Sequence, residues 1–458
     1  MLAQEARLGA LNGRRPPVGS NTEATVHLHT PLKLGVAWLA GTYLLFLILG
    51  QVGKVPDLAK LTGFVAATIA TFSAGYWLRA RKYVGLQAPQ LKVDSIGEVL
   101  RTRRWVIISA AYLAVAGIAQ LLAHGADGPD GVLQAILHPG TAYFARLRGF
   151  DVEQAADSSP NTVVQVLTLC AGLSTPLVPL AVLYWRRLTL APRVAAIAGG
   201  GLYASYWLFI GTLKGLGDML LYAIAALMVL AAWRQRDPRT ATLRLRRARW
   251  VSSALLLAVF VGYMAFNQSD RLSYIGATDQ FEANPVISAL TGEEFARGLS
   301  VSAFYPTNGY LGLAYNLDTP FVWSHGLGAS RALNSYWVRY GGGQTAEATT
   351  YPARTEVRTG WPAGMYWATI YPWLASDLGF PGAVVFMGLV GWWLARFWYE
   401  AVFLRSKVAL LMLCQLTLLL GYVPANNQIG LTAPGLIAFV SLSLLYAIRR
   451  PSPVQRSQ

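Results

Sequence analysis

The chain has 458 residues, of which 54% are hydrophobic and 13% charged, and its mean hydropathy is +0.39. Soluble domains carry about 25% charged residues, so this composition excludes a soluble globular enzyme and a disordered chain. The formal net charge of +16 would suggest nucleic-acid binding in a soluble protein, but in a membrane protein a basic excess arises from cytoplasmic loops. Cys170 and Cys414 lie in apolar runs, which predicts neither a disulfide framework nor a metal cluster.

Ten apolar runs are long enough to cross a bilayer, since a membrane-spanning helix needs about 18 or more mostly apolar residues. They cover residues 34–52, 61–79, 105–123, 162–185, 194–211, 215–233, 250–267, 380–399, 408–424 and 431–448. The polar residues 1–30 precede the first run, so no cleavable signal peptide is expected. The sequence therefore predicts an all-α, polytopic membrane protein with about ten transmembrane helices.

Basic residues gather beside alternate ends of these runs, and they set the predicted orientation. The clusters are Arg79–Lys82, Arg101–Arg104, Arg186–Arg193, Arg234–Arg249, Arg396–Lys407 and Arg449–Arg456. Lys and Arg concentrate in cytoplasmic loops, and every cluster lies on that side if both termini are cytoplasmic. An even number of spans also requires the termini to share a side, so the two arguments agree.

This topology predicts five parts. They are the cytoplasmic tail 1–30, transmembrane helices one to seven in 31–267 with an external loop at 124–161, a large external loop with short helices at 268–379, transmembrane helices eight to ten in 380–449, and the tail 450–458. The apolar stretch 362–377 is too short and too proline-broken to span, which predicts a re-entrant or interfacial helix. A second short apolar piece, 309–317, is expected to pack beside it.

The large loop contains arginines and aromatic residues but no lysine. Its arginines are Arg271, Arg297, Arg331, Arg339, Arg354 and Arg358, and its aromatic residues include Trp337 and Tyr351. Arginine binds phosphate through a planar, bidentate fork, and aromatic faces suit the C–H faces of sugars. We therefore interpret the loop as a binding surface for a lipid-linked phospho-sugar. The alternative is that these arginines pair with the eight acids of the same loop and that the aromatics form an interface belt.

Lys214 and Asp218 lie four residues apart at the external end of the sixth predicted span. This i, i+4 spacing allows them to pair on one helix face, and ionisable residues at membrane depth are candidates for function. Lys214 is a candidate for diphosphate binding and Asp218 for catalysis. The alternative is a structural ion pair that fixes the turn.

Two further loop residues are catalytic candidates. Asp377, in the sequence ASDLGFPG, is a candidate general base or acceptor for a sugar hydroxyl, with a helix N-cap or turn aspartate as the alternative. His325, in WSHGLGAS, is a candidate acid or base near neutral pH, although a single loop histidine is more often incidental. No metal-ligand spacing, phosphate-binding glycine loop or nucleotide-binding domain is evident, so neither metal nor cofactor is predicted.

The residues of about 300–400 resemble those of the bacterial oligosaccharide repeat-unit polymerases, or O-antigen polymerases (Wzy type). The stretches that carry the resemblance are YPTNGYLGLAYNLDTPFVWSHGLGAS, TYPARTEV and WPAGMYWATIYPWLASDLGFPGAVVFMGLVGWWLARFWYE. A long late loop leads into a (D/N)-x-G-x-x-G turn, here Asp377, Gly379 and Gly382. In the turn after the fifth span, Lys214 stands where the family usually has arginine, so its role does not transfer one to one.

The resemblance implies a metal-independent glycosyltransferase at the external face of the bacterial cytoplasmic membrane. Donor and acceptor would be polyprenyl-diphosphate-linked oligosaccharides, and a chain-length regulator is an expected partner. An O-antigen ligase would share the donor and remains an alternative. A lipid-linked glycan transporter is the alternative of another class, but it would need charges at mid-membrane and an internal repeat, and neither is visible. The single acid Asp57 in the first external loop argues against polyprenyl-phosphate-dependent glycosyltransferases, which usually have an acidic pair there.

Overall fold

The computed structural model describes residues 28–83, 96–126, 128–146, 162–235, 258–260, 262–264, 266–271, 273–274, 276, 285–364 and 366–449. The tail 450–458, most of the tail 1–30, the basic segment 236–249, most of the predicted span 250–267 and part of the loop 124–161 fall outside these ranges. Within them the regular structure is entirely helical, so the predicted all-α class is confirmed for the part of the chain that is described.

Sixteen α-helices with defined ends follow one another along the described ranges. They are α1 (Thr30–Leu49), α2 (Leu58–Ala80), α3 (Ile96–Ala123), α4 (Pro129–Leu137), α5 (Thr162–Leu169), α6 (Leu177–Tyr184), α7 (Leu190–Phe209), α8 (Lys214–Gln235), α9 (Pro285–Thr291), α10 (Glu293–Leu317), α11 (Arg331–Gly341), α12 (Tyr351–Thr359), α13 (Tyr371–Val402), α14 (Lys407–Gly421), α15 (Gln428–Leu431) and α16 (Ala433–Ile448). Residues 139–146 are helical as well.

Among the described residues, five stretches are long and apolar enough to cross a membrane, and each overlaps a predicted span. They are Thr30–Leu49, Leu58–Tyr83, Ile96–Ala123, Lys214–Arg234 and Tyr371–Val402. A sixth exists only if Thr162–Leu169 and Ala171–Arg187 are taken together, because the pair is bent by 60°. The structure thus supports the coarse prediction of several membrane-length helices.

Three other predicted spans are helical but fall short in length or hydropathy. α14 and α16 have 15 and 16 residues, because the turn between them takes residues from both apolar runs. α7 has 20 residues, but Pro192, Arg193 and three consecutive glycines at 199–201 lower its hydropathy. Each of these three helices therefore meets only one of the two requirements, length or hydropathy, whereas the other five stretches meet both.

Only the second half of the apolar stretch 362–377 is helical. Residues 361–364 and 366–370 are not helical, and the residues from Tyr371 onward belong to α13. α13 is interrupted at Gly379, whose φ of 66° and ψ of 164° are not helical; glycine reaches positive φ without a Cβ clash. A short helix therefore precedes the eighth predicted span, as expected, but it begins only at Tyr371, and the break at Gly379 separates it from the longer helix that follows.

The apolar piece 309–317 is the end of a much longer helix than expected. α10 has 25 residues and contains Pro306; a search for continuous apolar runs misses its first half because polar and charged residues are mixed into it. The expected packing beside the following stretch is present, since a Cβ on Gly312 would meet the Trp367 carbonyl oxygen. Tyr310 Oη also lies 2.8 Å from Thr42 Oγ1 of α1, so the end of α10 packs inside the helical assembly.

Glycines let the long helices cross at short range. A Cβ on Gly75 of α2 would overlap the Gly388 carbonyl of α13, and one on Gly391 would overlap the Phe72 carbonyl. Likewise, Gly199 of α7 faces the Ala110 carbonyl of α3. Small residues at such crossings allow two backbones to approach closely, as is common between membrane helices.

Basic residues meet at one end of the helices. This end, which we call the basic face, comprises residues 79–83, 96–104, 185–193 and 396–407. Arg103 Nη2 donates to the Arg187 carbonyl at 2.7 Å, and Lys407 Nζ donates to Thr102 Oγ1 at 2.7 Å. Four of the six clusters that the sequence assigns to one side are therefore gathered at one end of the described structure, and the other two lie mostly outside the described residues.

The opposite end, which we call the loop face, comprises residues 50–57, 210–214, 318–370 and 422–432. Lys60 Nζ, at the start of α2, pairs with Asp318 Oδ1 at 2.8 Å. The Ile370 N–H donates to the Val423 carbonyl at 3.0 Å. The connections that the sequence places on the external side therefore contact one another, and they contain the candidate functional residues.

Replacing Gly75 by alanine is expected to destabilise the protein, because the added Cβ has no room against the Gly388 backbone and must force α2 and α13 apart. Strain of this kind costs about 1–3 kcal/mol, measurable as a lower thermal-unfolding midpoint of the purified protein in detergent. Gly63→Ala in the same helix is the matched control, since a Cβ there meets nothing within 4 Å. Equal midpoints for the two variants would contradict the close crossing.

Candidate functional site

A turn on the loop face is held by Asp377. We call residues 324–329 the histidine loop, after His325. The carboxylate accepts hydrogen bonds from the backbone N–H groups of Gly326 at 2.9 Å, Gly328 at 3.2 Å and Ala329 at 2.7 Å. Both carboxylate oxygens are used, and charged hydrogen bonds of this kind are stronger than neutral ones. Asp377 therefore fixes the shape of the histidine loop.

Ser376 ties the same turn to two other segments. Its carbonyl accepts from Ser324 Oγ at 3.0 Å, and its hydroxyl accepts from the Tyr351 N–H at 2.9 Å. Gly328 packs so closely that a Cβ would lie 2.6 Å from that of Ser376. Asp377 lies two residues before the break at Gly379, and its carboxylate accepts from the histidine loop rather than from the helix that follows the break, so it is not the N-cap that the sequence allowed. Its partners belong to a distant segment of the chain.

His325 is presented outward by this framework. Its side chain is exposed, its ring centroid lies 4.7 Å from that of Trp323, and its φ of 56° is in the left-handed region. Non-glycine residues adopt such a φ only when their surroundings over-determine it, and here the bonds to Asp377 do so. The imidazole forms no hydrogen bond with the described residues. It is therefore accessible to a molecule at the surface.

Two of the candidate arginines hold the end of α10. Arg358 donates to the carbonyls of Tyr315 at 2.7 Å and Asp318 at 2.9 Å, and Arg354 donates to the Pro320 carbonyl at 2.8 Å. The last carbonyls of a helix have no partner within the helix, so Arg358 satisfies such an acceptor at Tyr315, while Arg354 binds the loop that follows α10. The structure thus gives Arg354 and Arg358 a local structural partner.

Three other candidate arginines contact carboxylates, a backbone carbonyl or an aromatic ring. Arg331 Nε donates to Glu347 Oε1 at 3.1 Å, and Arg297 pairs with Glu293. The buried Arg271 donates to the Gly211 carbonyl and lies over the Tyr143 ring at 3.9 Å. At least part of each of these three guanidinium groups is therefore bound to another group of the protein rather than available to a substrate.

Arg339 differs from these, because it is exposed and has no hydrogen bond or ion pair to the described residues. It lies on α11, whose Trp337 is 48% exposed and whose Tyr340 is 65% exposed. The Arg339 guanidinium lies 5.9 Å from the centroid of the Tyr340 ring, whereas the Trp337 ring lies against Gly341 and Gly343. An exposed cation near an exposed aromatic ring is the arrangement that the sequence suggested for binding a phospho-sugar.

Tyr351 is placed differently from Trp337. It is buried between Phe321 and Phe380, with ring centroids at 6.2 and 4.8 Å. Burial raises the pKa of the Tyr351 hydroxyl, while the charge of Arg354 opposes this shift. The hydroxyl is therefore protonated at neutral pH, and the ring is part of the packing under the histidine loop.

Lys214 and Asp218 form the pair that their spacing predicts. Lys214 Nζ lies 2.6 Å from Asp218 Oδ2, with side chains that are 24% and 16% exposed. Tyr422 Oη donates to the other carboxylate oxygen at 2.9 Å, and Lys214 Nζ lies 5.3 Å from the Trp207 ring. The predicted ion pair is confirmed, and it is half-buried at the loop-face end of α8.

One turn joins this pair to the histidine loop. We call residues 422–430 the connecting turn. Its first residue, Tyr422, contacts Asp218, and the Asn426 N–H donates back to the Tyr422 carbonyl at 3.0 Å. Its second half contacts the histidine loop, because Asn427 Nδ2 donates to the Ala329 carbonyl at 2.6 Å. The candidate catalytic residues Asp218, His325 and Asp377 are thereby linked through a few hydrogen bonds.

The sequence did not indicate the residues that make this link. Tyr422 lies within an apolar run, and Ser376 and Asn427 have no characteristic spacing. Their partners are between 25 and 204 residues away in the chain, and only folding brings them together. No group of three or more His, Cys, Asp or Glu side chains suited to a metal ion occurs in the described ranges.

In comparisons with protein-family models, curated proteins and solved structures, nothing matches this chain.

Asp377→Asn is expected to loosen the histidine loop, because an amide retains one acceptor oxygen and turns an NH2 group toward backbone donors. A charged hydrogen bond contributes about 1.5–3 kcal/mol, so the amides of Gly326, Gly328 and Ala329 should exchange hydrogen at least about tenfold faster. Hydrogen–deuterium exchange of the peptide containing residues 324–330 measures this. Asp318→Asn is the control, since it removes only an exposed pair worth about 0–1 kcal/mol. Unchanged protection in Asp377→Asn would contradict the anchoring role.

Proposed function

We propose that the protein is a membrane glycosyltransferase that polymerises polyprenyl-diphosphate-linked oligosaccharide repeat units for a bacterial surface polysaccharide, such as O-antigen, capsule or exopolysaccharide. The proposal combines the sequence resemblance with the geometry of the loop face. It places about ten spans in the cytoplasmic membrane, with both termini in the cytoplasm. The basic face then lies in the cytoplasm and the loop face on the external side.

The observation that supports this function best is the connecting turn. Through Tyr422 it contacts the Lys214–Asp218 pair, and through Asn427 it contacts the loop that presents His325. A glycosyl transfer needs a base for the attacking hydroxyl and cations for the departing diphosphate. Both kinds of group lie on the same face of the protein, at the end of helices that reach membrane length.

In the proposed reaction, the hydroxyl oxygen of the acceptor glycan attacks the anomeric carbon of the donor. The new glycosidic bond forms as the bond from that carbon to the diphosphate oxygen breaks. The diphosphate departs with the electron pair, and the hydroxyl proton passes to His325. Asp377 acts as a positioning residue for His325, since its oxygens accept the N–H groups of the histidine loop.

The diphosphate charge is stabilised by Lys214 and Arg339 in this proposal. Asp218 orients the ammonium group of Lys214 at 2.6 Å, and the exposed Trp337 offers a face to a sugar ring beside Arg339. Arg354 and Arg358 keep the segment 315–320 in place, so their effect on activity is indirect. Arg271 and Arg331 use part of their donors within the protein and offer the rest to substrate.

The bilayer supplies both polyprenyl chains, and a chain-length regulator is the expected protein partner. An O-antigen ligase would use the same donor but transfer to a different acceptor, and the accumulated intermediate distinguishes the two. Loss of a polymerase leaves single repeat units on the lipid carrier. Loss of a ligase leaves long chains on it.

We expect His325→Ala to reduce polymer at least about 100-fold when it replaces the wild-type gene, because general base catalysis contributes 10²–10⁴-fold. Lys214→Ala should reduce it about 10²-fold by removing charge stabilisation, while Lys214→Arg retains activity. Electrophoresis of surface polysaccharide and analysis of extracted lipid-linked glycans measure the outcome. Lys54→Ala, at an exposed cation on the same face, is the control.

Accumulation of single lipid-linked repeat units in the deletion strain is required by the proposal. Unchanged polysaccharide and no such accumulation would exclude polymerisation. Normal polymer in both His325→Ala and Lys214→Ala would exclude the assigned roles even if the deletion strain behaves as expected.

A further inference from the structure

Arginines from two helices meet on the basic face, where α3 approaches the connection between α6 and α7. We call residues 185–193, which contain this connection, the arginine turn. Arg103 of α3 donates from Nε and Nη2 to the Arg187 carbonyl at 3.1 and 2.7 Å. Arg193, in the first turn of α7, donates from Nε to the Trp185 carbonyl at 3.1 Å. Two guanidinium groups are therefore fixed on carbonyls of the same short turn.

These two guanidinium groups retain donors for another molecule. Arg103 Nη1 and both terminal nitrogens of Arg193 form no hydrogen bond with the described residues. Their neighbours Arg104 and Arg186 are exposed, and neither has a hydrogen bond or ion pair to the described residues. Four cations thus lie around one turn with donors that the described protein groups do not use.

Carboxylates of the described helices do not balance these charges. Residues 99–126 and 162–217, which contain most of α3 and all of α5 to α7, include neither Asp nor Glu. Glu98 lies five and six residues before the two arginines of α3, a spacing that does not bring side chains together on a helix. Glu400 is buried and forms an ion pair within α13. The arginine turn therefore favours an anionic partner.

Exposed aliphatic side chains lie next to the arginines along both helices. On α7, Leu190 and Ile197 are exposed and lie three residues before and four residues after Arg193. On α3, the exposed Ile108 lies four residues after Arg104. Residues at these spacings share one helix face. Cations followed by exposed hydrocarbon match the order of headgroup and acyl chains in a membrane lipid.

Trp185 places the arginine turn at the level of lipid headgroups. Its side chain is exposed, and the guanidinium carbon of Arg193 lies 5.5 Å from the centroid of its ring. Tryptophan is enriched where the hydrocarbon of a bilayer meets water. α3 is also one of the helices that are long and apolar enough to cross a membrane, and the arginine turn lies at its end.

We propose that the arginine turn binds an anionic glycerophospholipid, with the phosphate at its four arginines and the acyl chains along the exposed faces of α3 and α7. Arginine holds a phosphate through paired N–H donors, and a lipid without net charge would leave the positive charges unbalanced. Basic pockets between membrane helices bind lipid headgroups in this way. The inference does not depend on glycosyl transfer, because no glycan takes part in the binding.

The test is native mass spectrometry of the full-length protein in a neutral detergent, with dioleoyl phosphatidylglycerol and dioleoyl phosphatidylcholine added in equal amounts. We expect at least about tenfold preference for phosphatidylglycerol, since each arginine near an anionic headgroup contributes a factor of about five. The preference should fall as salt shortens the Debye length from about 10 Å at 0.1 M to about 3 Å at 1 M. Absence of a preference, or a preference that salt does not change, would overturn the proposal.

Glycerol phosphate separates a lipid site from a site for soluble phosphate compounds. It carries the phosphate without acyl chains, so an excess of about tenfold should leave phosphatidylglycerol bound. Displacement of the lipid by glycerol phosphate would overturn the lipid assignment, because the exposed faces of α3 and α7 would then contribute nothing.

Variants locate the site within the protein. Arg104→Gln combined with Arg186→Gln removes two side chains that have no hydrogen bond to the described residues, so the thermal-unfolding midpoint should stay unchanged. The preference for phosphatidylglycerol should fall at least about tenfold. Lys54→Gln combined with Lys82→Gln is the control, since it removes the same charge at exposed lysines of the loop face and the basic face. A preference that survives the arginine variant, or that falls equally in the control, would overturn the proposal.

Discussion

Three backbone N–H groups of the histidine loop converge on the Asp377 carboxylate, and the arrangement of the loop face follows from that contact. The adjacent Ser376 binds Ser324 and Tyr351, so the start of α12 and the histidine loop are fixed against the same point of α13. The break at Gly379, two residues later, lets α13 continue in a new direction after this contact. A single carboxylate therefore organises segments that are about 50 residues apart in the chain.

A second constraint is that polar backbone groups need partners where apolar helices end. The carbonyls at the end of α10 and in the loop that follows it receive Arg358 and Arg354, and the Gly211 carbonyl receives Arg271. The contact of Arg271 is buried, where an unpaired carbonyl would cost about 1–3 kcal/mol, whereas those of Arg354 and Arg358 are exposed. Arginines that suggest phosphate binding in sequence therefore also serve the folded chain, and Arg339 on α11 has no hydrogen bond or ion pair to the described residues.

The apolar runs and the basic clusters predicted the membrane-length helices, because both are local properties of the chain. Five of the runs became helices long enough to cross a membrane, and four of the six clusters meet at one face. The sequence did not predict that α10 extends back to Glu293 or that residues 361–370 are not helical. Run-based reasoning detects continuous hydrophobicity, whereas α10 is amphipathic and the segment before α13 is fixed by contacts such as that between Ile370 and Val423.

For the candidate site, the sequence by itself determined the Lys214–Asp218 pair, since four residues along a helix bring two side chains to one face whatever the surroundings. It also determined which residues carry charge and aromatic rings on the loop face. Only the tertiary structure decided that Asp377 holds the histidine loop, that Tyr422 completes the lysine–aspartate pair and that most of the loop arginines bind protein groups. Apart from the i, i+4 pair of Arg297 and Glu293, these contacts join residues from 16 to 204 positions apart, and no local pattern encodes a partner at that separation.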